Sequence, residues 1–220
     1  MRIIIIRHGD PDYEKDCLTE LGHKQAALAA KRLMDEGIET IYSSCMGRAK
    51  QTAQAFSDLS GIGPVKILDF MKEIRFGREG FIYEEQGNPW TGVDRLAAEG
   101  VNIYDTAWPE LPLFKDNTAT IDVQNIQKQT DIWLSELGYK REGLYYRNTR
   151  KDEENHTIAL FCHGGSSTAM LSRILNIPFP YLCAAFHFQH TAITILRFDV
   201  TPGKLSTPIL ELLNDNRHTK

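Results

Sequence analysis

Residues 1–9 read Met1-Arg2-Ile3-Ile4-Ile5-Ile6-Arg7-His8-Gly9, and this stretch decides the fold. Four consecutive β-branched residues suit an extended strand. A run without polar alternation suits a strand buried on both faces, as in a parallel sheet covered by helices. The run ends in a cation, an imidazole and a glycine. Open α/β sheets bind ligands beyond the carboxyl ends of their strands, so Arg7 and His8 stand where a ligand is met.

The surrounding chain carries the matching pattern. Thr19 to Glu36 has helical spacing, with Leu21, Leu28, Ala29 and Leu33 expected on the apolar face and Gly37 as the stop. Ile38 to Ser43 reads as a second strand. Arg48 to Leu59 reads as a helix with Ala49, Ala53, Phe56 and Leu59 inward, and Val65 to Leu68 as a third strand. Residues 77–116 break the rhythm with scattered Gly, Pro and aromatics. A helix is then expected from about Asn117 to Leu137, with Val123, Ile126, Thr130, Trp133 and Leu137 on one side. Segment 139–156 mixes both charge signs and reads as a solvated excursion. Thr157 to Cys162 is an apolar strand, followed by His163-Gly164-Gly165 and a helix from about Ser166 to Leu175. Ala192 to Asp199 reads as a strand, and Pro208 to Leu213 as an edge strand or tail. The βαβα order argues a mainly parallel sheet with right-handed crossovers. The expected class is therefore α/β: a three-layer α/β/α domain over residues 1–220, with a mainly parallel central sheet and a cap insertion at 77–155.

Composition excludes several classes. The net charge of −4 over 220 residues argues against general binding to nucleic acid or an anionic membrane. No stretch approaches the ~20 apolar residues of a membrane span. The isoleucine run is too short for a signal peptide and is cut off by Arg7-His8. Cys17, Cys45, Cys162 and Cys183 show no zinc-like spacing, so they read as free thiols in a reducing, cytoplasmic compartment.

Three strand ends carry chemistry: Arg7-His8-Gly9, the Ser43 to Ala49 junction with Arg48, and His163-Gly164-Gly165. In a parallel sheet these junctions share one edge. Two guanidinium groups, two imidazoles and two helix amino-termini facing one point make an anion site. Guanidinium groups fork onto phosphate oxygens, and helix ends offer unpaired N–H donors.

In these motifs the chain resembles the histidine phosphatase superfamily, which includes the phosphoglycerate mutases. The RHG signature is matched by Arg7-His8-Gly9. The S-x-x-x-R-A-x-Q-T-A motif is matched by Ser44, Arg48, Ala49, Gln51, Thr52 and Ala53. The acidic E-x-x-x-G element is matched by Glu73 to Gly77, and the late H-G-G motif by His163-Gly164-Gly165. The resemblance implies that His8 is a nucleophile forming a phosphohistidine. It implies that Arg7, Arg48, His163 and Gly164 bind phosphoryl oxygens, and that Glu73 is the general acid and then the base. It implies a small phosphorylated substrate and neither metal nor other cofactor, and it leaves a homodimer open.

The chain departs from the mutase pattern after RHG: Asp10-Pro11-Asp12-Tyr13 stands where mutases have E-S-x-W-N. That favours a phosphomonoesterase over a phosphoglycerate mutase, and the intact set His8, Arg48, Glu73 and His163 favours it over a non-catalytic phosphate-binding protein. Phe76, Phe81, Tyr83, Trp90, Tyr104 and Trp108 divide between a specificity wall and the cap's own core. Residues 76–114 hold only two basic side chains, Arg78 and Arg95, which points to a singly phosphorylated metabolite. His187 and His190 are expected as structural or wall groups. His23, His156 and His218 are expected in solvent.

Overall fold

The computed structural model describes residues 1–220, which group into two compact units. The first comprises Met1–Lys72, Leu134–Gly164 and Phe188–Lys220, and the second comprises Glu73–Trp133 and Gly165–His187.

The first unit opens with β1 (Arg2–Arg7), the short hairpin β2 (Pro11–Asp12) and β3 (Cys17–Leu18), then α1 (Glu20–Leu33), β4 (Thr40–Ser43), α2 (Gly47–Ser60) and β5 (Lys66–Ile67). The central sheet also takes β8 (Thr157–Cys162), β9 (Ile193–Arg197) and β11 (Ile209–Asp215), in the order β11-β9-β1-β8-β4-β5. Strands β1, β8, β4 and β5 pair in parallel, whereas β9 pairs antiparallel with both of its neighbours, β1 and β11. The α/β class and the mostly parallel central sheet follow the sequence pattern. Ile3, Ile4, Ile5 and Ile6 are all fully buried, each contributing about 1.5–3 kcal/mol of apolar burial. On one face Ile4, Ile6, Ile41, Phe161 and Ile195 pack with Ala30 and Leu33 of α1 and Ala53 and Phe56 of α2.

The buried side of α1 is not the leucine side. Leu21 and Leu28 are 54% and 40% exposed, and the inward residues are Gly22, Ala26, Ala29, Ala30 and Leu33. Close approach selects them: a Cβ on Gly9 would stand 2.6 Å from the Gly22 carbonyl oxygen. Likewise Leu59 of α2 faces solvent, although Ala49, Ala53 and Phe56 are inward as expected.

Residues 139–156 are also more than an excursion. They hold the hairpin β6 (Tyr139–Glu142) and β7 (Tyr145–Asn148), extended by β10 (Leu205–Ser206). Tyr139 and Tyr146 are buried and both pack on Phe198. The charges that suggested solvation pair within the hairpin, as Arg147 does with Glu142.

The second unit contains α3 (Pro89–Ala98), most of α4 (Thr118–Glu136) and of α5 (Gly164–Leu175), and α6 (Phe179–Ala185). Helix α3 lies where periodicity showed nothing. Its start is marked by Asn88, whose Oδ1 accepts from the Trp90 N–H, and by Pro89 in the first turn. Helix α4 matches its pattern, with Val123, Ile126, Thr130 and Trp133 buried. Trp108, Phe114 and Phe179 form an aromatic core, the indole lying 5.0 Å from one ring and 5.7 Å from the other. No helix is long and apolar enough to cross a membrane.

Candidate active site

Parallel pairing brings the first three motifs to one level. The register sets Arg7 beside Cys162 and Ser43 beside Phe161, so β1, β8 and β4 end together. His8, His163 and Ser44 therefore leave adjacent strands side by side. The His8 N–H donates to the Cys162 carbonyl and the Ser44 N–H to the Phe161 carbonyl, which continues the ladder one residue past the strands.

His8 is 1% exposed, and its ring centroid lies 5.1 Å from that of His163. Its Nδ1 is 2.7 Å from the Gly9 carbonyl, which can only accept, so Nδ1 carries the proton. That leaves Nε2 with a bare lone pair, toward which Arg48 Nε–H donates at 3.2 Å. Burial lowers the His8 pKa to about 2, Arg7, Arg48 and His190 push in the same direction, and the Gly9 hydrogen bond opposes them. The ring is thus neutral at ordinary pH.

Arg48 lies in the first turn of α2 and is 2% exposed. Its Nη1 pairs with Asp16 Oδ1 at 2.6 Å, while Asp16 Oδ2 accepts from the Gly47 N–H, also at 2.6 Å. A Cβ on Gly47 would meet the Asp16 carbonyl oxygen at 2.0 Å, so glycine is required for this approach. Tyr13 lies over the Arg48 guanidinium at 5.3 Å. Arg7 Nη1 donates to the Phe188 carbonyl. His163 is fully buried, its Nε2 is 2.8 Å from Ser44 Oγ, and burial pushes its pKa well down.

Three donors or potential donors in this cluster are buried without a protein partner: Arg7 Nε, Arg48 Nη2 and His163 Nδ1. An unmade buried donor costs about 1–3 kcal/mol, more when charged. Three such groups around one neutral imidazole describe a receptor for an anion with several oxygens. The structure therefore brings Arg7, His8, Arg48 and His163 together, and Gly164 follows directly as the first residue of α5.

Glu73 belongs to the second unit. Its Oε1 accepts from the Ser166 and Ile74 N–H groups, each at 3.0 Å, and its Oε2 from the Gly165 N–H at 3.2 Å. The amino-terminus of α5 thus fixes the carboxylate. A Cβ on Gly165 would stand 2.5 Å from Glu73 Oε1, which explains the second glycine of the H-G-G motif.

Residues 3–91 match the family model of the histidine phosphatase superfamily (branch 1). Over its full length the chain is 24% identical to a presumed phosphoserine phosphatase, phosphoserine phosphatase 2 of Hydrogenobacter thermophilus, covering 98% of that protein. It is 35% identical over 71 residues to a probable phosphoglycerate mutase of Yersinia pestis, a match that spans 28% of this chain and 33% of the mutase. Its fold is similar to that of an Entamoeba histolytica phosphoserine phosphatase mutant solved with phosphoserine. There the TM-score is 0.67 at 23% identity, covering 99% of this chain and 98% of the other.

Around His8, some neighbours carry no motif of their own. Asp16 is one aspartate in a charged loop, and only its left-handed backbone (φ 48°) and its pairing single it out. His190 lies 5.8 Å from His8, ring to ring, with its Nδ1 3.7 Å from Asp10 Oδ1. Burial and then Arg7 lower its pKa, against Asp10. His187 is exposed. His218 is not in free solvent: it is half-buried, with Nε2 3.1 Å from Thr191 Oγ1.

Proposed function

We propose that the chain is a phosphomonoesterase that hydrolyses a small phosphorylated metabolite through a phosphohistidine on His8. The observation that carries this reading is the geometry at His8. Its lone pair is fixed on Nε2 by the Gly9 carbonyl, and around it stand Arg7, Arg48 and His163 with buried atoms that no protein group satisfies.

In the proposed reaction His8 Nε2 attacks phosphorus and the P–O bond to the leaving group breaks. Arg7, Arg48, His163 and the Gly164 amide bind the phosphoryl oxygens. The two guanidinium groups supply the positive charge that divalent metal supplies in other phosphoryl-transfer sites, where positioning and electrostatics provide most of the catalysis. Glu73 protonates the leaving oxygen. Water then attacks the phosphohistidine, Glu73 takes its proton, and the P–N bond breaks to release phosphate.

The similarity to phosphoserine phosphatases supports a small phosphorylated acid as substrate, and Asp10-Pro11-Asp12-Tyr13 supports hydrolysis over mutase transfer. The test is hydrolysis of an aryl phosphate, phosphoserine and 3-phosphoglycerate in the presence of chelator. Radiolabelled substrate and rapid quench should trap an acid-labile phosphoenzyme. His8→Ala should abolish label and turnover alike, by at least about 10³-fold. Efficient formation of 2-phosphoglycerate from 3-phosphoglycerate and a bisphosphorylated primer, with little free phosphate, would establish the mutase reading instead.

A further inference from the structure

We propose that Ser44 is a positioning residue that holds His163 in its Nδ1–H tautomer, so that His163 offers an uncharged N–H donor beside His8. The hold rests on geometry alone. The use of that N–H on a phosphoryl oxygen rests on the phosphatase reading above.

Ser44 is fully buried. Its Oγ accepts from the Met46 N–H at 3.3 Å, and its carbonyl accepts from Ser43 Oγ at 2.9 Å. The hydroxyl proton has one acceptor in reach, His163 Nε2 at 2.8 Å. A buried hydroxyl that made no donor bond would lose a hydrogen bond's worth of stability. The hydroxyl therefore donates, and Nε2 is bare. A neutral imidazole carries a single proton. That proton is on Nδ1, the buried ring atom without a protein partner. The reverse tautomer would strand the hydroxyl proton and set a lone pair, not a donor, at Nδ1. The doubly protonated ring is opposed by burial first, then by His8, Arg48 and Arg7.

The two site histidines are thereby set as opposites by their neighbours. The Gly9 carbonyl takes the Nδ1 proton of His8 and bares Nε2 for attack. The Ser44 hydroxyl occupies Nε2 of His163 and leaves an N–H unspent. One ring can attack phosphorus and the other can only donate, although both are neutral histidines 5.1 Å apart. The charge of the site then comes from the arginines.

The test is long-range ¹H–¹⁵N spectroscopy of histidine-labelled, ligand-free protein at neutral pH, with the His163 signals assigned by their loss in His163→Gln. The expected result is a protonated-type shift at Nδ1 and an unprotonated-type shift at Nε2. The opposite pattern, or two protonated nitrogens, overturns the proposal. In Ser44→Ala the two shifts should move toward each other as the tautomers mix. The kcat for an aryl phosphate should fall about tenfold, the worth of one net hydrogen bond. An unchanged tautomer in Ser44→Ala, or a changed tautomer with unchanged kcat, also overturns it. The wild-type spectrum is independent of whether the variant folds. It also separates the two readings: an Nδ1–H tautomer in a chain that hydrolyses no phosphomonoester supports the role of Ser44 and sinks the phosphatase, whereas a reversed tautomer in an active phosphatase sinks only this proposal.

Discussion

His8 and Glu73 are both held by backbone groups, but in opposite senses. His8 gives its Nδ1 proton to a carbonyl one residue away, at the end of a strand whose four isoleucines are fully buried. Glu73 receives three amide protons, two of them from the first turn of α5. A carbonyl makes a nucleophile of an imidazole by fixing where its lone pair lies, and helix amides orient a carboxylate by surrounding it with donors. The units that carry them differ as well. In the first, Arg7, Arg48 and the two histidines are buried or nearly so, whereas in the second Phe81, Tyr83 and Tyr104 are about half exposed. Under the proposed function this is a division of labour: groups that every phosphoester needs sit on sheet ends, and groups whose value depends on the leaving group sit elsewhere.

The largest effect that can break this comparison is at Glu73. Glu73→Gln keeps the size of the side chain and removes its proton chemistry. It should lower kcat for an alkyl phosphate by about 10²–10⁴ and for an aryl phosphate, whose leaving oxygen needs little protonation, by much less. Equal losses on both substrates, measured by phosphate release, would show that Glu73 does not serve the leaving group.

A smaller effect tests the burial of His8. Its folded pKa is lowered to about 2, below the ~6.5 of an unfolded histidine. Between these values the unfolded chain binds the proton and the folded chain does not. The stability associated with a neutral His8 is thus fully present above pH ~6.5 and is lost as pH falls, by at most about 1.4 kcal/mol per pH unit. In urea unfolding between pH 6.5 and 4.5, His8→Gln should flatten the slope by about that amount. His163, whose pKa is lowered in the same direction, keeps part of the slope in the variant. An unchanged slope would mean that His8 is solvated in the folded chain.

The smallest effect belongs to the exposed aromatics. Tyr83→Ala and Tyr104→Ala should alter stability by no more than about 0.5 kcal/mol. Their consequence should appear in KM for the natural substrate and not in turnover of a minimal aryl phosphate. A kcat loss on the minimal substrate would remove the distinction between the two kinds of group.

Much of the site was legible because the chemistry-bearing residues sit at fixed offsets from unmistakable strands. Arg7-His8 follows four isoleucines, and His163 follows a six-residue strand that is buried throughout. The face of α1 was misread for a physical reason. Hydrophobicity ranks Leu21 and Leu28 above Gly22 and Ala26, but the contact requires small residues where the Gly9 and Gly22 backbones nearly touch. Helix α3 was legible in its Asn88-Pro89 start and hidden by its weak periodicity. The hairpin at 139–148 was hidden because its charges pair with each other, and the two tyrosines that anchor it contribute little to an alternation count.

By itself the sequence determined a parallel sheet whose strand ends carry Arg7, His8, Arg48 and His163, because strand and helix periods, turn residues and motif order are local properties. Only the tertiary structure decided which nitrogen of each histidine is bare, that Asp16 is the partner of Arg48, and that Gly165 must lack a side chain for Glu73 to reach its amides. Apart from the His8–Gly9 hydrogen bond, which turns on how the ring is oriented, these depend on hydrogen bonds and close approaches within about 3 Å between residues distant in the chain, and no local pattern records such distances.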